Sequence, residues 1–255
     1  QRQTVLFSAT MPPLIRALTK QFQKDPQLIE INKSQVTIDN IDQRLVEVPT
    51  LYKKESLKLL LSYHRPNRTL VFCNTKRMVD ELTEYLVQNG HAAESIHGDL
   101  KQIQRTSVMN RFKQGQVSIL VATDVAARGI DVNDIDYVFN YDIPLKTEEY
   151  VHRIGRTGRA GKSGCAITLC CGRRQVAMMQ RVAREVNSTI AVDRLPTAED
   201  LKQKVQALNL EQMRIALAKD AGQVRLRRAD ERGEPVEDTA RVLGRLVSAI
   251  VWRTY

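Results

Sequence analysis

The sequence predicts an α/β fold, a parallel sheet covered by helices on both faces. Two observations carry that prediction. From about residue 42 to residue 171, short apolar β-branched runs alternate with helical patterns, which is the signature of strand-helix-strand units. Small polar residues also collect directly after several of the runs, at the carboxyl ends of parallel strands where such sheets bind their ligands.

The elements follow in order. "QTVLFSATMPPLIRALTKQF" reads as one apolar strand, a turn and one helix, part of a sheet whose other strands are missing, so the chain is expected to begin inside a larger domain. Strands are then expected at "RLVEV", "RTLVFCNT", "AAESIHGD", "VSILVATD", "DYVFNYD" and "CAITLCC", with helices at "KESLKLLLSYH", "KRMVDELTEYLVQNG", "IQRTSVMNRFKQG" and "TEEYVHRIG". In the second of these helices Met78, Val79, Leu82, Tyr85 and Leu86 keep the 3.6-residue period, and Asn89-Gly90 closes it. After "DRLPTAED" the β-branched runs stop. Thr197, three before Asp200, caps a helix expected from Ala198 toward Lys219; the basic "GQVRLRRADERGEP" then separates it from a last helix near 237–253. Leu201, Val205, Leu208, Leu243, Leu246 and Val247 give these helices a face to bury.

At 255 residues and 42% hydrophobic the chain is long enough for a substantial core. No apolar run approaches the roughly 20 residues of a membrane span, and "QRQTVLFSAT" lacks the pattern of a signal peptide, so a cytoplasmic protein is expected. Cys73, Cys165, Cys170 and Cys171 have no C-x-x-C spacing and read as core thiols rather than metal ligands. A formal net charge of +10 suggests a polyanionic partner, and with only 5% aromatic residues phosphate contacts must dominate over base stacking.

Residues 150–164, "YVHRIGRTGRAGKSG", place Arg153, Arg156 and Arg159 three apart, set glycines among them, and contain no acid after Tyr150. Guanidinium forks and backbone N–H groups in one small volume are suited to phosphate. Gly161-Lys162-Ser163 mimics the end of a Walker A loop, but that pattern requires glycine where Arg156 stands, and no apolar strand leads into it. Asn74-Thr75-Lys76, His97-Gly98-Asp99 and Thr123-Asp124 each follow a strand, and together they line one sheet edge.

Five segments then carry a family resemblance. "SAT" at 8–10, "LVFCNT" at 70–75, "HGD" with Gln102 and Arg105, "VATDVAARGID" at 121–131 and "HRIGRTGR" at 152–159 resemble, in order and spacing, the later motifs of DEAD-box RNA helicases. The resemblance covers roughly residues 1–190. His152 at the head of the last motif and Thr157-Gly158 inside it favour the DEAD-box branch over relatives that act on DNA.

The resemblance implies a RecA-like helicase C-terminal domain of the P-loop NTPase type at 42–190. Before it come the end of a first RecA-like domain at 1–25 and a linker at 26–41; a helical extension at 195–255 follows. ATP with Mg²⁺ and RNA would bind across the cleft between the two RecA-like domains, the metal held mainly by the first. Arg156 and Arg159 would reach the γ-phosphate, with Arg159 as the arginine finger; such a residue is worth about 10³ to 10⁵ in rate. Gly129 and Asp131 would lie at the nucleotide, Asp131 at its ribose. His152 would contact Ser8 to Thr10, coupling hydrolysis to RNA release. RNA would meet Asn74, Thr75, Gly98, Gln102, Arg105, Thr123 and Asp124, mostly through its backbone.

Neither a Walker A loop nor D-E-A-D precedes "SAT" at 8–10, so the chain alone is expected to be inactive and the first domain is its expected partner. A homodimer through the C-terminal helices is a further expectation. Two other readings stay open: a DNA-directed motor of the same superfamily, and a non-catalytic RNA-binding or scaffold protein.

Overall fold

The computed structural model describes residues 4–7, 13–29, 40–127, 135–159 and 161–231. Seven strands form one sheet: β1 (Ile41–Glu47), β2 (Thr69–Phe72), β3 (Ala93–Ile96), β4 (Ile119–Ala122), β5 (Tyr137–Asn140), β6 (Gly164–Cys170) and β7 (Ala191–Asp193). Every pairing is parallel and the spatial order is β3-β4-β2-β5-β6-β1-β7. The helices are α1 (Pro13–Phe22), α2 (Lys53–His64), α3 (Lys76–Gln88), α4 (Gln102–Lys113), α5 (Asp124–Ala127), α6 (Thr147–Ile154), α7 (Arg173–Glu185) and α8 (Ala198–Glu231).

Alternation along the strands divides the apolar side chains between two cores. Leu70, Phe72, Leu120, Ala122 and Val138 face a cluster completed by Val108 and Phe112 of α4, Tyr150 and Ile154 of α6, and Met179 of α7. Val71, Val121, Phe139 and Ile167 face the other way, onto Leu57, Leu60 and Leu61 of α2 and Val79, Leu82 and Leu86 of α3. Both sheet faces are dry, which is why the central strands read as unbroken apolar runs.

Strand register sets up the functional edge. Phe72 lies level with Ala122, Ala122 with Ile96, and Phe72 with Asn140. Four strands therefore end together and release their following residues along one line.

Local signals hold where the residues are self-sufficient. Thr75 Oγ1 accepts from Met78 N at 3.2 Å to start α3, and Gly90 with φ +81° ends that turn. Thr197 Oγ1 accepts from Asp200 N while Asp200 Oδ2 accepts from Thr197 N at 2.7 Å, a reciprocal cap at the start of α8. Cys73, Cys165 and Cys170 are buried, and burial pushes the Cys165 and Cys170 thiols up to about 12. Cys171, expected in the core with them, is only half-buried.

Two expectations are corrected, and one strand is new. Residues 4–7 form no strand: among the described residues no β-strand lies beside them to pair with, and Phe7 is 91% exposed. Helix α8 does not stop at Lys219 but runs to Glu231. One interior glycine, Gly222, costs a helix only about 1 kcal/mol, and its arginine, leucine and alanine neighbours are strong helix formers. Strand β7 was not anticipated; it is three residues long and is defined by its pairing with Arg44–Val46. The helix expected at 237–253 lies outside the described residues.

The first turns of α8 meet the domain. Leu201 and Val205 close a cavity of about 360 Å³ with Leu61 and Ser62 of α2, and Lys204 Nζ sits 4.0 Å from the Tyr63 ring centroid. Further on, Leu210, Met213 and Ile215 are exposed.

Candidate functional site

At the carboxyl edge the expected residues do come together, and a residue outside the expected set organises them. Arg153, on α6, is 1% exposed. Its Nε and Nη2 donate to the two carboxylate oxygens of Asp124 at 2.6 and 2.7 Å, a bidentate pair. Its Nη1 donates to the Asp142 carbonyl at 2.6 Å, and Nη2 also donates to Asn74 Oδ1 at 2.8 Å. The guanidinium lies over the Phe72 ring, 5.3 Å from its centroid. Asp142 extends the set, accepting from Asn74 N at 3.0 Å and from Lys53 Nζ at 2.7 Å.

This corrects the reading of the basic stretch. Of its three regularly spaced arginines, Arg153 is already neutralised inside the protein and is not open to an outside anion. Asp124 and Asn74, expected to face a polyanion, direct their side-chain oxygens to Arg153; Asn74 Nδ2 donates to the Ile143 carbonyl at 3.1 Å. Thr75 caps α3. Thr123 is half-buried ahead of α5, its carbonyl accepting from Ala127 N at 2.9 Å.

Beside this cluster, Gly98 is exposed between two tethers. His97 Nε2 lies 3.0 Å from Asp80 Oδ1, and Lys76 Nζ pairs with Asp99. Gln102, the first residue of α4, is exposed, and Arg105 Nη2 donates to the Ala126 carbonyl at 2.5 Å. Arg105 thus ties α4 to α5 as well as lying along the edge.

Helix α6 starts after β5 and returns toward the amino ends of the strands. Thr157, buried, donates from Oγ1 to the Ile135 carbonyl at 2.5 Å, just before β5. Gly158 has φ +67°, and a Cβ there would stand 2.7 Å from Ile41 Cγ1 at the start of β1. The loop is clamped, and it fixes the two remaining arginines. Arg156 Nε donates to the His152 carbonyl at 3.3 Å and Arg159 Nε to the Gly155 carbonyl at 2.9 Å. Burial, and then the charge of Arg159, lower the Arg156 pKa. Two half-buried cations that repel one another are suited to an anion between them. His152 is on the exposed side of α6.

The site residues therefore form two groups, an edge group at the strand ends and an arginine group at the far end of α6. Ser8, Thr10, Gly129 and Asp131 lie outside the described residues. Arg153 was missed as an organiser, although a signal existed: Tyr150, Arg153 and Ile154 are spaced i, i+3, i+4, so they share the buried face of α6.

Residues 52–161 match the helicase conserved C-terminal domain family. The chain is 44% identical over 213 residues to the DEAD-box ATP-dependent RNA helicase CshA of Geobacillus kaustophilus, spanning 84% of this chain and 45% of that relative. In the crystal structure of the E. coli DEAD-box protein SrmB bound to regulator of ribonuclease activity A, the matched chain is 35% identical. The match covers 63% of this chain and 93% of that one, with a TM-score of 0.57. The chain belongs to the DEAD-box family.

Its parallel sheet flanked by helices is the RecA-like fold of DEAD-box C-terminal domains. S. cerevisiae Dbp5 bound to RNA and ADP BeF3 is similar as well, 26% identical over 79% of this chain and 54% of that one, with a TM-score of 0.67. This DEAD-box chain spans about half the length of such relatives or less. Among its described residues no helix is long and apolar enough to cross a membrane.

Proposed function

We propose that this chain is the C-terminal half of an ATP-dependent RNA helicase that separates short RNA duplexes. It supplies Arg156 and Arg159 to the γ-phosphate of an ATP held mainly by a first RecA-like domain of the same protein. The observation that carries the reading is the pair Arg156 and Arg159, half-buried and tied to the His152 and Gly155 carbonyls in the clamped loop that follows α6. Phosphoryl transfer needs positioning and charge stabilisation, and an arginine brought across a cleft provides both.

Mg²⁺ accompanies the ATP and is assigned to the first domain. Gly129 and Asp131 serve the nucleotide, and exposed His152 meets Ser8 to Thr10. RNA runs along the edge group at Thr75, Gly98, Gln102, Arg105 and Thr123; Asn74 and Asp124 shape that edge through Arg153. Such contacts are to phosphate, so binding is salt-sensitive and tolerant of sequence. ATP closes the two domains around one strand in a bent form that a duplex cannot adopt, and hydrolysis reopens them. We place the protein in the cytoplasm. Exposed Leu210, Met213 and Ile215 on α8 support a homodimer through the C-terminal helices.

The test is ATP hydrolysis, with and without RNA, by this chain alone and after mixing with a separately produced first RecA-like domain of a DEAD-box helicase. No turnover alone and RNA-stimulated turnover on mixing is the expected result. RNA binding without turnover, from halves shown to be folded and associated, would favour a non-catalytic RNA-binding protein. Equal stimulation by DNA of the same sequence would favour a DNA-directed motor, because recognition of the 2′-hydroxyl distinguishes the two.

A further inference from the structure

We propose that the free edge of β3 is a docking site for an extended peptide segment of another protein, one that carries apolar residues and an acid and adds to the sheet beside β3. The proposal is independent of the functional reading above.

Strand β3 ends the sheet, so one of its two hydrogen-bonding sides meets no other strand among the described residues. Parallel register decides which groups are left over. The Ala92 carbonyl accepts from Ile119 N at 3.1 Å, and alternate residues of a strand bond to the same neighbour, so Glu94 and Ile96 turn their N–H and C=O toward β4. Ser95 turns its pair outward. An outward N–H and C=O on one edge residue is a template for a further strand.

The edge is recessed. A cavity of about 530 Å³ lies along it, walled by Thr83 of α3 on one side and by Ile103, Ser107 and Arg111 of α4 on the other, with Glu94 and Ser95 between them. Two flanking helices leave room for a single extended segment and hold off the broad edge of a second sheet, which argues for a peptide over a second copy of this chain. Ile103, 84% exposed, gives the α4 wall an apolar contact.

Charge sets the chemistry of the segment. Residues 101–113 include Lys101, Arg105, Arg111 and Lys113 and no acid. Arg111 Nη1 lies 2.6 Å from Glu94 Oε1, and its side chain is 46% exposed, within reach of a second carboxylate. Glu94 Oε2 is buried and receives no hydrogen bond among the described residues, and burial raises the Glu94 pKa against the opposing charge of Arg111. A hydroxyl or amide donor from the incoming segment satisfies that oxygen.

The experiment selects displayed random peptides of about ten residues on the immobilised full chain. Binding of every enriched peptide is then measured by fluorescence anisotropy, and exchange of the Ser95 amide with and without it. The enriched peptides should alternate apolar and polar residues, contain Asp or Glu, and slow exchange at Ser95. Ser95→Pro removes the outward N–H at a place where an edge strand tolerates proline. Ile103→Glu changes an exposed side chain, blocks the apolar wall and covers the case in which the proline variant fails to fold. Each should weaken binding about tenfold or more. No enrichment, or enriched peptides that all bind the folded variants as tightly as the wild type, would overturn the site. So would a Ser95 amide already protected in the free chain: protection independent of concentration means that the chain's own residues cover the edge, and protection that rises with concentration means that a second copy does.

Discussion

Thr157 and Gly164 pack so closely that a Cβ on Gly164 would stand 2.2 Å from Thr157 Oγ1. That contact holds the arginine loop against the amino ends of β5 and β6, because the same hydroxyl donates to the Ile135 carbonyl. Gly164→Ala must displace Thr157 or bend β6. It should destabilise the domain by about 1–3 kcal/mol, the usual cost of overpacking. A urea midpoint lowered at constant m is the expected readout, and an unchanged midpoint would mean that the loop is not clamped here.

Arg159→Ala tests the finger assignment. In the mixed two-domain assay, RNA-stimulated turnover should fall by about 10³ to 10⁵. RNA affinity without nucleotide should stay nearly intact, since the arginine loop and the strand edge lie at different ends of α6. Equal losses of turnover and affinity would remove Arg159 from the phosphate and assign it to RNA.

Arg105→Ala should weaken RNA binding alike for all sequences and lower the salt slope by about 1, as expected for the loss of one phosphate contact. Its bond to the Ala126 carbonyl adds a second effect. Stability should fall by about 1 kcal/mol, the typical worth of such a bond. Titrations with several RNA sequences at two salt concentrations check the first effect; a sequence-dependent loss would contradict a phosphate role.

His64 gives a pH dependence with a definite sign. Burial, reinforced by the charges of Lys204 and Arg44, pushes its imidazole down from 6.5 to about 4. The unfolded chain takes up the proton first, so the contribution of neutral His64 is complete above pH 6.5 and is lost as pH falls toward 4. Denaturation midpoints should decline across that window, and His64→Gln should flatten the decline. An equally steep decline in the variant would assign it to other groups.

The strand expected at residues 4–7 and the unexpected β7 show where sequence reasoning reaches its limit. "TVLF" has the residues of a strand, yet a strand exists only by pairing, and the described residues offer those four none. Strand β7 is the reverse case. Its three residues carry a weak pattern and become a strand because Arg44–Val46 present a free edge. Among the candidate site residues, Thr75 stands out as a polar residue just after a strand and Arg159 as one of three regularly spaced arginines, whereas Gln102 is named only through the family resemblance. The role of Arg153 could not be named in either way, because it depends on three loops that are distant in sequence and adjacent only once the strands align.

By itself, the sequence determined the α/β class, the alternation of strands and helices from β1 to β6, the caps at Thr75 and Thr197, and the family. Those follow from residue periodicity, side chains acting on their own backbone, and short motifs in fixed order. The tertiary structure alone decided that Arg153 is buried in a bidentate pair with Asp124 while Arg156 and Arg159 are half-buried past the end of the same helix. Charge and spacing are nearly the same for all three. What sets Arg153 apart is the direction its side chain takes from α6, into the interior, where the folded sheet brings Asp124 to meet it.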